Sequence, residues 1–340
     1  MTDFAFLKID RDRFLCGSGP FEARSEPPKD ADEVAFFRND FLLSDPVPWK
    51  VPAKWFVTSD PTDLLPDNGA TPFPSVEWNG LRDEDFRRVF DDIKASIQSG
   101  GLEKSVPVIT ERGRLRAGRP EGLIRAVADL PESLWSYGFA WGDRGAVGAT
   151  PEQLFALRGD RLKTMALAGT APKHEAGSFV SDGKEIREHE FVANFLFGRL
   201  EGLGEVRRHE RVVLDLGSIV HFLTPIELRL KPEFLPADLN ALIRRLHPTP
   251  ALGACPRGDG ALRQLHGYRT ELGTPGGFGA PFGVSWHEGF HGVVAIRSLG
   301  WSGDEIYLPS GVGLIEESRF EHEWRELSLK RNAVKSLLGV

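Results

Sequence analysis

Pro151-Glu152-Gln153-Leu154-Phe155, a Gly159-Asp160 turn and a run ending in Ala166-Leu167-Ala168-Gly169-Thr170 make up the stretch on which the fold is decided. Apolar runs on both sides of a Gly-Asp pair read as two antiparallel strands joined by a tight turn. Residues 182 to 200 then change period: Glu188 lies four positions before Val192 and seven before Phe195, on one face of a helix. A carboxylate in phase with apolar side chains points inward, and an inward acid needs a partner.

Upstream of this stretch, Phe139-Ala140-Trp141 and Gly145 to Ala149 read as strands; downstream, Val212 to Leu214, Ile226 to Leu230, Val293 to Ser298 and Glu305 to Leu308 do the same. Strands outnumber helices and do not alternate with them. The fold class expected is therefore α/β of the α+β kind, a large, mostly antiparallel β-sheet core with helices packed outside. Phe86, Val89, Phe90, Ile93 and Ile97 mark one face of a helix from Asp83, stopped by Gly100-Gly101. After it, Lys104, Val106 and Val108 share a strand face, with Pro107 implying an edge or a bulge. The last helix has Ser318 and Glu321 at capping-box spacing and an apolar stripe of Phe320, Trp324, Leu327, Val334 and Leu338. Glu323, Glu326 and Lys330 run along one edge of that stripe.

Residues 1 to 60 alternate short apolar runs with Pro, Gly and Asp clusters, as strands and hairpins do, and Pro61 to Pro74, containing Asn68-Gly69, reads as a loop. A strand-rich segment over 1–75 is expected to pack on the same core as the main domain over 76–340. The chain, at 340 residues, exceeds the roughly 250–300 at which one hydrophobic core stops growing, so two lobes or one large layered domain are expected.

The formal net charge of -7 argues against a nucleic-acid-binding surface, which shows as clustered Lys and Arg. Cys16 and Cys255 lie far apart without a CxxC, as reduced thiols of a cytoplasmic protein would. Lys8, Asp10 and Arg11 come too early for the apolar stretch of a signal peptide, and no run is long enough to span a membrane. The expected location is cytoplasmic.

His287-Glu288-Gly289-Phe290-His291 fits the HExxH zinc pattern but sits between two strand-like runs with a glycine at its centre, so a hairpin connection is the better reading. Gly273 to Gly283 is glycine-rich, yet no Lys-Ser/Thr and no helix follow it, so close backbone packing is expected in place of a phosphate loop. By themselves His221 and His247 read as satisfied core or loop histidines, and Glu188 and Glu326 as single acids on two helices.

Taken in order, eight blocks change that reading. They are Pro151-Glu152-Gln153-Leu154, Ala166-Leu167-Ala168-Gly169-Thr170, Arg187-Glu188-His189-Glu190, Val220-His221-Phe222-Leu223-Thr224, Leu246-His247-Pro248-Thr249-Pro250-Ala251-Leu252-Gly253, Ala295-Ile296-Arg297-Ser298, Ser310-Gly311-Val312-Gly313-Leu314-Ile315 and Glu323-Trp324-Arg325-Glu326 with Lys330. Together they resemble the chorismate-binding enzyme family of isochorismate, salicylate, anthranilate and aminodeoxychorismate synthases. The resemblance is closest to isochorismate synthases. It implies the anthranilate synthase component I-like fold, with 76–340 as the chorismate-binding catalytic domain, and Mg2+ as cofactor. By the same resemblance Lys104 is the general base and Glu152 the general acid. Glu188 and Glu326 are the metal ligands with Glu323 supporting them, and Gly169, Thr170, His221, Ala251, Arg297, Gly311, Gly313 and Lys330 bind substrate. The sequence departs from the pattern in Lys104-Ser105-Val106-Pro107-Val108-Ile109, with Ile109 where relatives usually have Arg, and in Arg269, which lies too far upstream of Phe278-Gly279-Ala280.

The implied reaction is Mg2+-assisted addition of water at C2 of chorismate with loss of the C4 hydroxyl, an isomerase activity. Lys104 would have to be neutral to take a proton from water, and Glu152 protonated to give one. Mg2+ suits oxygen ligands and keeps several waters, so two converging carboxylates suffice from the protein. The alternatives are a salicylate synthase, which goes on to eliminate pyruvate, and a chorismate-binding regulator without turnover. Ammonia as nucleophile would not need the base lysine, and Ala168 stands where aminodeoxychorismate synthases carry a nucleophilic lysine, so no obligatory glutamine amidotransferase is expected. The tryptophan-binding Leu-Leu-Glu-Ser motif is missing, which argues against tryptophan feedback. A menaquinone or a siderophore pathway would fit equally.

Overall fold

The structure is a computed structural model describing residues 3–30, 32–65 and 71–340. Asn68-Gly69 of the expected loop lies outside the described residues. Among the described residues seventeen strands form one sheet in which every pairing is antiparallel, and the stretch quoted first lies towards one end of it. Gln153–Arg158 turns at Gly159 (φ 59°) into Arg161–Pro172, which pairs on its other edge with Ile219–Leu230. Gly204–Arg208 and Val212–Asp215 add to that last strand.

In the other direction Gln153–Arg158 pairs with Gly289–Val294, then Pro281–Trp286, Ala35–Arg38, Trp49–Thr58, Arg13–Arg24 and Phe4–Asp10 follow. The N-terminal strands thus lie within the one sheet. The ladder continues through Trp135–Trp141, Arg144–Thr150, Ser298–Ser302, Glu305–Gly311 and Val108–Ala117 to Ser75–Trp78. The HExxH run is a hairpin turn between Pro281–Trp286 and Gly289–Val294, with Glu288 paired to Arg13 at 2.9 Å.

Helices cover the sheet where their apolar stripes direct them. Val192, Ala193, Leu196 and Leu200 of the Gly183–Leu200 helix are fully buried against the Arg161–Pro172 and Ile219–Leu230 strands. Each buried leucine or valine contributes roughly 1.5–3 kcal/mol. The Asp83–Gln98 helix buries the five expected residues, and its Phe86 and Phe90 meet Phe320 of the Phe320–Leu338 helix at 6.0 and 5.5 Å between ring centroids.

Two local expectations are corrected. The Phe320–Leu338 helix has no side-chain cap; the Ser318 hydroxyl accepts a hydrogen bond from Ile315 N–H instead, closing the turn before the helix. The lysine strand is interrupted at Pro107, which has no N–H to donate. Lys104–Ser105 pairs separately with Ala254–Cys255, and the longer strand begins at Val108. Among the described residues no helix is long and apolar enough to cross a membrane.

Candidate active site

Asp182 starts the Gly183–Leu200 helix by accepting from the backbone N–H groups of Lys184 and Glu185. This sets Lys184, Glu185 and Glu188 in the first two turns, over the sheet. His189 fastens the helix down: Nδ1 donates to Ala168 O at 3.3 Å, and Nε2 accepts from the Thr224 hydroxyl at 2.7 Å. Burial lowers its pKa to about 4, so the ring is neutral and structural.

The strand beneath carries a bulge at Gly169, where the pairing shifts register and φ is +77°. A side chain there would be strained in the left-handed region and would close on the Glu185 carbonyl. The bulge turns Thr170 N–H toward Glu185 Oε2 at 2.7 Å, and Gly169 O accepts from His221 Nδ1 at 2.8 Å. With Nδ1 so committed, His221 Nε2 accepts from Arg297 Nη2 at 3.1 Å. Burial first and the Arg297 charge second hold the imidazole at about 3, hence neutral. Arg297 itself adopts φ 55°, unusual for a residue with a side chain, and burial brings its guanidinium down to about 10. Such backbone strain persists only where surrounding contacts hold it, and it clusters at functional sites.

These residues line one narrow cleft together with Glu152, Glu188, Ala251, Gly311, Gly313 and Lys330. Glu152 is buried, and desolvation raises its pKa to about 8 although Lys104, Lys330 and Arg297 pull the other way. Lys330 donates to Gly311 O at 2.9 Å and pairs with Glu326 at 2.6 Å. One cleft therefore holds an arginine, a lysine, a neutral histidine and a protonated acid, a set suited to a small anion that must receive a proton.

Behind the cleft lies an acidic cluster. Glu185, Glu188, Glu323 and Glu326 are all buried, and the Lys184 ammonium stands among them, 2.9 Å from Glu185, 3.1 Å from Glu323 and 3.8 Å from Glu188. Burial pushes the Glu188 and Glu326 carboxyls up, but Lys104 and Lys184 for the first, and Lys330 and Lys184 for the second, leave both below the ordinary range. Glu185 goes the other way, to about 7, through burial and the neighbouring Glu188. Glu323 is completely buried, and no donor aligns with either of its oxygens in hydrogen-bond geometry. His322, Glu323 and Glu326 can bring ligand atoms within 4.8 Å of one another. Buried hard-oxygen donors, one of them a carboxylate with an ion-pair partner but no hydrogen bond, fit a divalent cation such as Mg2+.

Lys104 is fully buried, with Nζ 3.0 Å from Glu188 Oε1 but off the line of a hydrogen bond. It does not line the cleft; it reaches toward it past Gly313. A Cβ on Gly313 would sit 2.1 Å from Glu188 Oε1 and 2.8 Å from Lys104 Cε. Gly313→Ala is therefore expected to push these two side chains apart and to destabilise the protein by about 1–3 kcal/mol. Urea unfolding measures the loss; an unchanged midpoint would show that Glu188 can move aside freely.

Of the residues singled out in the sequence, Glu152, Gly169, Thr170, Glu188, His221, Ala251, Arg297, Gly311, Gly313 and Lys330 meet at the cleft. Glu326 lines a small adjoining cavity that also includes Thr170, and Glu323 belongs to the cluster. His247 stays apart, buried with Nε2 2.8 Å from Phe41 O. Lys184 and Glu185 were not anticipated, although Glu185 falls one turn before Glu188, on the same inward face. Arg269, out of place in the sequence, still reaches its block in space: Nη2 donates to Phe278 O at 2.5 Å and the guanidinium covers the Phe41 ring.

Comparison with known proteins bears on this arrangement. The salicylate biosynthesis isochorismate synthase of Pseudomonas aeruginosa is 29% identical over 266 residues, 73% of this chain and 53% of that protein. Anthranilate synthase component 1 of Neisseria meningitidis is 28% identical over 74% of this chain and 52% of its own length. The chain spans about half the length of these curated relatives. Among solved structures, the menaquinone-specific isochorismate synthase MenF of Escherichia coli superposes with a TM-score of 0.82 at 19% identity, covering 99% of this chain and 89% of that one; this likeness establishes the fold. The family model described as "Chorismate binding enzyme" matches residues 66–339, which include every residue named at the cleft and in the acidic cluster, and the chain belongs to that family.

Proposed function

We propose that the protein is an isochorismate synthase that adds water at C2 of chorismate and expels the C4 hydroxyl, an isomerisation with no net change in atoms. The observation that carries the reading is a Glu152 held protonated to about pH 8 at an anion-binding cleft, with the buried Lys104 behind the Gly313 wall of that cleft. Water addition needs both a base and an acid. Relatives named as isochorismate synthases by sequence and by fold support the same choice.

In this reading Arg297 grips a substrate carboxylate with two parallel hydrogen bonds, and Lys330 adds a second positive charge. The neutral His221 keeps the Arg297 fork in place. Lys104 takes the proton from the attacking water while Glu152 gives its own to the departing hydroxyl. Glu188 and Glu326, supported by Glu323, would hold Mg2+, which supplies charge to offset and orient the ring carboxylate. Glu188 is also the counter-charge of Lys104 at 3.0 Å, so the residue assigned as base and one assigned to the metal stand side by side.

Incubation with chorismate and Mg2+, followed by chromatography, is expected to give isochorismate. Pyruvate release with salicylate would move the assignment to a salicylate synthase, and binding without product would leave a non-catalytic chorismate-binding protein. The same assay across pH is expected to lose kcat as pH rises through about 8, because the Glu152 proton is present below that value and gone above it. A rate flat from pH 7 to about 9.5 would remove Glu152 as the acid.

A further inference from the structure

The Phe320–Leu338 helix brings to the acidic cluster one side chain that the reaction as read above does not use. His322 stands one residue before Glu323 and four before Glu326, so its ring and the Glu326 carboxylate share a helix face. The two line one small cavity together with Thr170, Glu175 and Arg325, and Lys184 does not line it. His322 Nδ1 lies 3.9 Å from Glu323 Oε1, and ligand atoms of His322, Glu323 and Glu326 all lie within 4.8 Å of one another. Ligand atoms about 2.0–2.1 Å from one ion stand about 3–4.2 Å apart, so a shift of under about 1 Å completes a set of three. The two carboxylates are buried, whereas the His322 side chain is half exposed. Its ring can therefore turn onto an ion without disturbing the core.

Imidazole and carboxylate do not favour the same cations. Mg2+ takes oxygen donors and gains little from a ring nitrogen, whereas imidazole suits the first-row transition ions. We infer that His322 is a further protein ligand of the cluster, which with Glu323 and Glu326 holds a divalent first-row transition cation more tightly than Mg2+. This rests on the assignment of Glu323 and Glu326 to the metal in the reading above. His322 then decides which metal the cluster takes and leaves the anion-binding cleft unchanged. The buried histidines nearest the cluster cannot take its place without giving up a contact. Both ring nitrogens of His189 are engaged, by Ala168 O and Thr224, and both of His221, by Gly169 O and Arg297.

The test uses the full chain freed of metal with EDTA, titrated calorimetrically with Co2+ and with Mg2+, while the Mn2+ complex is measured by pulsed EPR. Wild type is expected to prefer Co2+ and to show coupling of Mn2+ to an imidazole nitrogen. His322→Gln and His322→Ala are expected to abolish that coupling and to weaken Co2+ binding at least about tenfold, with Mg2+ affinity kept within about threefold. His174→Gln, which alters an exposed imidazole beside Glu175, is expected to keep both the coupling and the Co2+ preference. Thermal melting of the metal-free variants separates a lost ligand from a lost fold. Absence of the coupling in wild type, its survival in the His322 variants, or an equal loss of Co2+ and Mg2+ affinity in them overturns the inference and leaves Glu326 as a ligand. Failure of every cation to bind wild type overturns both the inference and the metal assignment beneath it.

Discussion

Replacing Lys104 with methionine is expected to lower kcat for isochorismate formation by about 10²–10⁴-fold, the range that a positioned proton acceptor contributes. Methionine suits the test because it keeps most of the side-chain volume in a site with no exposure at all. What it removes is the amine 3.0 Å from Glu188, while Lys184 at 3.8 Å remains to neutralise that carboxylate. The fold should hold, so the loss should appear in kcat while KM for chorismate changes little, since Arg297 and Lys330 are untouched. A kcat within threefold of wild type would mean that the proton leaves by another route, with the buried Glu188 carboxylate of the cleft as the alternative acceptor, since His221 is neutral but has both nitrogens engaged, by Gly169 and Arg297.

Glu326→Ala should remove Mg2+-dependent turnover altogether. Replacement of groups that merely orient metal ligands typically weakens metal binding by about 10–100-fold, and loss of a ligand itself should do no less. The change also takes the partner from Lys330, 2.6 Å away, and leaves that ammonium only the Gly311 carbonyl at 2.9 Å. Calorimetric titration with Mg2+ separates the two consequences. Glu326→Gln keeps the volume and a hydrogen-bond acceptor for Lys330, so weakened metal binding in that variant reports on the lost charge at the cluster. Unchanged Mg2+ affinity with retained activity in Glu326→Ala would dismiss the ligand assignment. The Lys184 ammonium adds a condition to any measured affinity. It already fills part of the charge requirement of Glu185, Glu188 and Glu323, so an incoming cation has to displace it or share the cluster with it.

Much of this was legible in the residues alone, for a physical reason that differs between elements. The Asp83–Gln98 helix buries just the residues whose 3.6-residue period pointed inward, because burial of an apolar face is the main force holding a helix in place. The strands on both sides of Gly159-Asp160 follow from the turn residues between them. Glu188 was marked as an inward acid by its phase with Val192, and the order of the eight blocks led to the family and to the cleft residues that the fold then brings together.

What no local pattern carries is contact between segments far apart in the chain. The capping box at Ser318 did not form, because the hydroxyl was used by a turn three residues earlier. Pro107 does not merely kink the lysine strand; it hands Lys104–Ser105 over to Cys255 and Ala254, more than a hundred residues away. Arg269 looks displaced in the sequence and still reaches Phe278, since the helix and loop between them fold back. The fold class, the inward acids and the family thus follow from periodicity, turn chemistry and motif order, which are properties of neighbours along the chain. That Lys184 stands among the carboxylates and that Gly313 alone leaves room for Glu188 and Lys104 are decided by tertiary packing, because charge and volume are balanced in space between residues the chain does not place side by side.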